Sequence, residues 1–329
     1  MHPLSDMKLE RPASAEQAVA LLAAEPGARL LAGGTDLVPN LRRGIGKPTT
    51  LVDVSALPGF AALAAAADGN LRLGAGLKLA TLARDPLLAA RLPALAAAAA
   101  AAAGPAHRSA ATLGGNLCQD TRCVYYNQSE WWRAANHYCL KLGGDTCHVA
   151  PQGKRCHAAF CSDLAPVLLA LHAEAELLSP GGTRRTPLAA MYRDDGAAHL
   201  TLARDEILTA VQVPAAPAGL RLGFRKSRVR GAMDFPLASV AVALTLGEGK
   251  AAPLTSLAVG ISGTNSHPLQ LQGTEALVGR PLDEAALAAL GKLVQKQVSP
   301  MRSTVTSSNH RRLVASVLAQ RLLRELATA

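Results

Sequence analysis

The residues best equipped for chemistry are six cysteines, Cys118, Cys123, Cys139, Cys147, Cys156 and Cys161, all within residues 112–163. A catalytic pair does not need six thiols. In a reducing cytosol, clustered cysteines point to a soft metal or an iron-sulfur group rather than to disulfides. Unpaired buried thiols are the plain alternative. The intervals between cysteines are long and match neither the short ferredoxin runs nor C-x-x-C zinc pairs, so spacing alone does not separate zinc from iron-sulfur. His137, His148 and His157 keep a mixed Cys/His zinc site open. Tyr125, Tyr126, Trp131, Trp132 and Tyr138 share this stretch, in a chain only 3% aromatic. They can shield a bulky group from water or form a miniature core.

Two paired-glycine turns offer chemistry of a second kind. Gly33-Gly34-Thr35-Asp36 follows the short apolar run Arg29-Leu30-Leu31-Ala32, and Gly114-Gly115-Asn116 follows Thr112-Leu113. Glycines at a strand end permit unusual backbone angles and leave amide N–H groups free to hold an anion such as a pyrophosphate. One such turn reads more simply as a strand-to-helix turn; two make a more specific pattern. Neither fits G-x-G-x-x-G or G-x-x-x-x-G-K-[ST], which excludes a Rossmann fingerprint and a P-loop. Gly260-Ile261-Ser262-Gly263 is not the G-x-S-x-G elbow, and no carboxylates share a convincing site. No catalytic residue is therefore assigned to this chain, and the hydrolase and acid-base classes lack support.

The elements that must position these groups follow from patterning. Ser14 and Gln17 have capping-box spacing, with Ala18, Leu21 and Leu22 on one face, which predicts a helix over residues 15–24. Strands are expected over residues 29–32, 50–54, 71–76, 173–178 and 206–213, with a short strand start before the second glycine turn. Residues 61–67 read as loop or weak strand. Helices are expected over residues 77–90 and 95–103. The second is nearly pure alanine, a flat face that admits a close neighbour or flat ligand, or simple filler. Residues 214–219, rich in proline, alanine and glycine, read as a linker. Beyond it, strands over 220–225, 239–246 and 257–261 and helices over 281–298 and 307–327 form a separate α+β unit.

At 329 residues and 49% hydrophobic, the chain can bury a sizeable core and form two or three domains. Residues 1–13 lack the apolar core of a secretory leader, and the apolar run over 92–106 falls short of the roughly 20 residues a bilayer span needs. No membrane association is expected, and the location is read as cytoplasmic. The formal charge of +10 is scattered apart from residues 225–230 and Arg311-Arg312. With few aromatics outside the cysteine stretch, no nucleic-acid partner is expected; acidic protein partners or solubility explain the charge.

Arg11-Pro12-Ala13-Ser14, residues 31–37 (Leu-Ala-Gly-Gly-Thr-Asp-Leu), Thr112-Leu113-Gly114-Gly115-Asn116-Leu117, Ser162-Asp163-Leu164 and Met233-Asp234-Phe235 carry a family resemblance across nearly the whole chain. It resembles the FAD-binding subunits of the xanthine oxidase family, which include the flavoprotein subunits of carbon monoxide dehydrogenases. The resemblance implies an α+β fold: a two-subdomain FAD-binding domain over residues 1–218, then a small α+β C-terminal domain over residues 219–329. It implies FAD held by Arg29, Leu30, Leu31, Ala32, Gly33, Gly34, Thr35 and Asp36, with the pyrophosphate on the backbone of residues 31–36. Thr112, Gly115 and Asn116 would add contacts, and Asp163 would bind the ribityl or ribose region. Ala102 would line the flavin, Leu208 would pack nearby, and Lys226 would reach toward the ring.

The chain departs from most of the family by an insertion at about residues 121–160. The insertion resembles that of the β subunits of 4-hydroxybenzoyl-CoA reductases, where the corresponding loop binds a [4Fe-4S] cluster. That implies Cys123, Cys139, Cys147 and Cys156 as ligands, leaving Cys118 and Cys161 as structural thiols. The implied role is electron transfer from ferredoxin through the [4Fe-4S] cluster and FAD toward a partner [2Fe-2S] small subunit and a molybdopterin-containing large subunit. There 4-hydroxybenzoyl-CoA would be reductively dehydroxylated to benzoyl-CoA, in a dimer of heterotrimers. Arg122, Arg133, Lys141, Lys154 and Arg155 outnumber the acids of the insertion, so an acidic ferredoxin is expected to dock there. The alternatives are the FAD subunit of an aldehyde, xanthine or carbon monoxide dehydrogenase with a zinc-stabilised insertion, and a non-catalytic zinc-stabilised scaffold.

Overall fold

The computed structural model describes residues 4, 6–249, 252–302 and 306–328. Residues 1–3, part of the stretch in which no leader is expected, lie outside the described residues.

Strands β1 (Lys8–Glu10), β2 (Ala28–Leu31) and β3 (Thr50–Asp53) form a parallel sheet in the order β1-β3-β2. Between β1 and β2 runs α1 (Ala15–Ala24), where the Ser14 hydroxyl accepts from Gln17 N and Ala18, Val19 and Leu22 are buried. This is the expected helix. Helix α2 (Leu37–Leu41) starts directly after the first glycine turn.

Next come β4 (Leu63–Ala65), β5 (Leu71–Gly74) and a run of short helices. These are α3 (Leu79–Leu82), α4 (Pro86–Arg91), α5 (Pro93–Ala101), α6 (Pro105–Ala110) and α7 (Leu113–Leu117). The single helix expected over residues 77–90 is thus two. Pro86 has no N–H to continue α3, while Asp85 accepts from Leu88 N and starts a new helix. Pro105 likewise opens α6. Helix α6, where a strand start is expected, precedes the second glycine turn; an isolated bridge joins Lys78 to Thr112, and Thr112 caps α7.

The cysteine insertion contains α8 (Glu130–Ala135) and a 3-10 turn, Leu140–Leu142. It enters and leaves at one neck, where Arg122 N donates to Ala159 O at 2.7 Å and Ala159 N to Arg122 O at 2.8 Å. Then follow α9 (Ala165–Ala170), β6 (Glu174–Ser179), β7 (Gly182–Pro187) and β8 (Ile207–Val213), completing an antiparallel sheet in the order β4-β5-β8-β6-β7. Strand β7 escapes sequence reading because its residues are mostly exposed and polar at a sheet edge, without apolar alternation.

The C-terminal part has β9 (Arg221–Ser227), β10 (Ala238–Leu246), β11 (Leu254–Ser262) and β12 (Leu269–Gln270), antiparallel in the order β12-β11-β10-β9. Helices α10 (Glu284–Gln297) and α11 (Ser308–Thr328) pack on each other, and α11 covers β9 and β10. From the other side α9 packs on β10 and β11, and the alanine-rich α5 lies against β9. Gly260 is what lets α9 sit so low, because a Cβ there would overlap the Pro166 carbonyl. Separate apolar cores fill the N-terminal and C-terminal parts, and a small third one lies beneath the insertion around Ile45, Tyr126, Ala159 and Met301. Among the described residues, no helix is long and apolar enough to cross a membrane.

Candidate functional site

The two glycine turns lie side by side. Gly33 packs on the backbone of Ala110 and Ala111, just ahead of Thr112, so closely that a Cβ would overlap the Ala110 carbonyl. Gly34 takes a φ of 68°, which favours glycine, and the chain then turns into α2. Among the described residues, the amides of Gly33, Gly34, Thr35 and Asp36 have no acceptor. Arg29 is exposed at the middle of β2, while residues 30–36, including Leu30, Leu31, Ala32 and Thr35, are half-buried. The second turn differs, since Leu113 N donates to Leu77 O, Gly114 N to Ala75 O, Gly115 N to the Thr112 hydroxyl and Asn116 N to Thr112 O. The first turn can therefore seat an anion on its backbone, and the second forms a wall whose amides are already engaged. Asn116 accepts from Ser162 Oγ at 2.6 Å, tying this wall to the segment carrying Asp163.

Asp163 and Lys226 come together. Lys226 Nζ lies 2.7 Å from Asp163 Oδ2 and 3.1 Å from Ala101 O, and Ser239 Oγ donates to Asp163 Oδ1 at 2.8 Å. Burial pushes the Asp163 carboxyl up, while Lys226 and Ser239 pull it the other way. The sequence places these two side chains on different parts of a ligand; the structure holds them on each other at the end of α5. Ala102, buried beside them, accepts from Arg108 Nη1 through its carbonyl at 2.9 Å. Leu208 is buried in β8 opposite Leu177, within the N-terminal core.

The insertion brings Cys123, Cys139, Cys147 and Cys156 to the wall of one pocket, with Tyr125, Tyr126, Lys141 and His148 around them. Three of these thiols are buried and Cys139 is half-buried. Neither Cys118 nor Cys161 lines this pocket. Burial pushes the Cys118 thiol up to about 12 and that of Cys161 up to about 11, so both stay protonated and inert at neutral pH. His148 is the one histidine of the three singled out that reaches the pocket. Its Nε2 lies 2.7 Å from the Tyr138 carbonyl, which only accepts, so this nitrogen carries the proton and is not available as a ligand. Among the described residues, no three His, Cys, Asp or Glu side chains converge as they would around a single metal ion.

A sequence family described as the FAD binding domain in molybdopterin dehydrogenase matches residues 5–216, and one described as the CO dehydrogenase flavoprotein C-terminal domain matches residues 223–326. The chain belongs to this flavoprotein family. The aldehyde oxidoreductase FAD-binding subunit PaoB of Escherichia coli (strain K12) is 32% identical over 90% of this chain and 92% of its own. The putative xanthine dehydrogenase FAD-binding subunit XdhB of the same organism is 29% identical over 97% and 95%. Among solved structures, a cyanide-inactivated Cu,Mo-CO dehydrogenase superposes with a TM-score of 0.80 at 25% identity, covering 99% of both chains. The α+β architecture with an FAD-binding part and a C-terminal flavoprotein part is thus that of the family, and the chain is an FAD-binding oxidoreductase subunit.

For a member of this flavoprotein family, the free amides of the first turn fit a pyrophosphate, and four soft thiol donors around one pocket fit an iron-sulfur group. The basic residues of the insertion do not form the docking face expected from the sequence. Arg133 is 2% exposed and spends its guanidinium on Gln128, Arg43 and Gly44 carbonyls and on Glu130. Arg122 pairs with Asp36, Lys141 with Asp120, and Arg155 with Asp194. Only Lys154 of the five is left exposed without an ion pair among the described residues.

What sequence reasoning missed is the connection between the two sites. Asp36, at the start of α2, holds Arg122 through Oδ1 and accepts from Asp120 N through Oδ2 at 2.9 Å. Asp120 in turn accepts from Lys141 Nζ at 2.5 Å and from the Tyr126 hydroxyl at 2.6 Å. A chain of hydrogen-bonded charged residues, Lys141, Asp120, Asp36 and Arg122, therefore runs from the cysteine pocket to the first glycine turn.

Proposed function

We propose that this chain is the electron-transferring flavo-iron-sulfur subunit of a molybdenum hydroxylase-type complex, with a [4Fe-4S] cluster on Cys123, Cys139, Cys147 and Cys156. The observation that carries the reading is that these four thiols, and neither of the other two, line one pocket. FAD exchanges electrons singly or in pairs and a [4Fe-4S] cluster singly, so together they connect one- and two-electron chemistry. The chain's own residues position both groups. The amides of residues 33–36 would hold the pyrophosphate, and Tyr125, Tyr126 and the miniature core beneath would exclude water from the thiols. The alanine helix α5 ends at Ala101, and the buried Ala102 follows it with the Asp163–Lys226 pair fixed beside it, where the flavin ring would lie.

Relatives named as aldehyde oxidoreductase, xanthine dehydrogenase and carbon monoxide dehydrogenase subunits favour an oxidising complex of that kind, in which the substrate binds a molybdopterin-containing subunit and a [2Fe-2S] subunit completes the assembly. The second reading is a 4-hydroxybenzoyl-CoA reductase subunit, fed by ferredoxin in a dimer of heterotrimers; the cysteine-bearing insertion supports it. Six free cysteines suit a reducing compartment, so the cytoplasm is the proposed location.

Iron, acid-labile sulfide and zinc per FAD, measured on anaerobically purified protein, test the cofactor assignment. About four iron and four sulfide per FAD are expected. Zinc without sulfide would reject the cluster and leave the FAD subunit. Turnover of the whole complex with aldehydes or purines, against reduction of 4-hydroxybenzoyl-CoA, decides between the two substrate readings.

A further inference from the structure

Lys141 has an unusual position for a lysine. It follows Cys139 by two residues in the 3-10 turn Leu140–Leu142, and its side chain is 6% exposed. The ammonium is fully engaged: Nζ lies 2.5 Å from Asp120 Oδ1, 2.6 Å from Thr121 Oγ1 and 3.3 Å from Thr121 O. It also sits 4.1 Å from the centre of the Tyr126 ring, whose hydroxyl donates to the other Asp120 oxygen. Lys141 lines the cysteine pocket and Asp120 does not, so the lysine is the member of this ion pair nearer the thiols, and its charge is felt at Cys156. A charge so placed and so little exposed acts through a low dielectric and is poorly screened by salt.

We propose that Lys141 sets the reduction potential of the group bound by Cys123, Cys139, Cys147 and Cys156, by presenting a fixed ammonium to one wall of the pocket. The inference rests on the cluster reading given above. Reduction adds one electron and one negative charge to the cluster; a fixed cation beside it favours the reduced form and raises the potential, and the potential of such clusters responds to net charge, hydrogen bonding and solvent exposure. Asp120 opposes the effect and anchors the lysine. Lys141 is thus a positioning charge and takes no part in bond making.

The test compares Lys141→Met, Lys141→Arg and Asp120→Asn in the holoprotein, by redox titration of the cluster signal together with iron, sulfide and FAD content. Lys141→Met is expected to keep iron, sulfide and FAD while its cluster potential becomes more negative. Lys141→Arg restores the wild-type potential, and Asp120→Asn moves it the opposite way, to more positive values. A general loosening of the insertion does not produce shifts of opposite sign from two neighbours. Lys141→Met with a full cluster and an unshifted or raised potential overturns the proposal. If Lys141→Met fails to assemble, Asp120→Asn decides, and an unchanged or lowered potential there overturns it equally. Wild-type protein without iron and sulfide would instead reject the cluster reading on which the proposal stands.

Discussion

Lys226 Nζ lies 2.7 Å from Asp163 Oδ2, with the two side chains 4% and 5% exposed. The pair joins the Ser162-Asp163-Leu164 segment to β9 at the end of the alanine helix, so three parts of the fold converge on one ion pair. A buried pair of this kind contributes little by existing and a great deal when half of it is removed. Lys226→Met or Asp163→Ala is expected to cost about 3–5 kcal/mol of stability, and the double variant clearly less than the sum, because it leaves no unpaired buried charge. Denaturant unfolding of the four proteins checks the coupling; strict additivity would mean that the two residues act independently.

The thiols sort into two sets with different consequences. Cys139→Ser is expected to abolish most of the bound iron and sulfide while FAD remains. Cys118→Ser and Cys161→Ser should keep the full complement, since neither side chain reaches the pocket. Metal and flavin analysis of the three purified variants gives the answer, and a full cluster in Cys139→Ser would remove it from the ligand set.

Gly33→Ala introduces a methyl group into the space of the Ala110 carbonyl. Backbone on both sides leaves no flexible side chain to yield, so the two glycine turns must separate. FAD content after purification is expected to fall by at least about tenfold, corresponding to roughly 1.4 kcal/mol or more of lost binding energy. Fluorimetric titration of the apoprotein with FAD measures it.

His199 is 7% exposed, and its Nε2 lies 2.9 Å from the Gln119 carbonyl. Burial lowers its pKa to about 4. Because the folded state disfavours the charged ring, the stability it contributes is fully present above the ordinary histidine pKa near 6.5 and is lost as the pH falls through about 4. The loss amounts to about 3 kcal/mol at most. His199→Gln, which can still donate to Gln119, is expected to flatten the stability profile over this window. Urea midpoints at a series of pH values report it, and an unchanged acid limb would assign the dependence to other groups.

Much of this architecture is legible in the sequence because local chemistry decides it. Ser14 with Gln17 marks α1, and the alternation over residues 206–213 marks β8. Where local reading fails, the cause is equally local. Pro86 splits a helix that apolar periodicity alone makes continuous, and β7 carries the polar residues of an edge. The gathering of the four cysteines is expected from resemblance to a related insertion, not from their spacing, which satisfies no short motif. The partners of the charged residues are not readable at all. Arg122, Arg133 and Lys141 have the composition of a solvated docking face, and only the folded chain shows that they turn inward to Asp36, Glu130 and Asp120. Long-range pairing of this kind depends on which segments the fold makes neighbours, and residue type carries no record of that.

The reciprocal hydrogen bonds between Arg122 and Ala159 have a consequence for the history of the molecule. Because the loop begins and ends at a single backbone bridge, everything between can be gained or discarded as a cassette. The parent chain need only close a short turn, at little entropic cost. Asp120 and Arg122, which hold the first glycine turn, stand at the threshold of the cassette and would survive its excision. The residues that hold the first glycine turn are thus separable from the thiol-bearing loop.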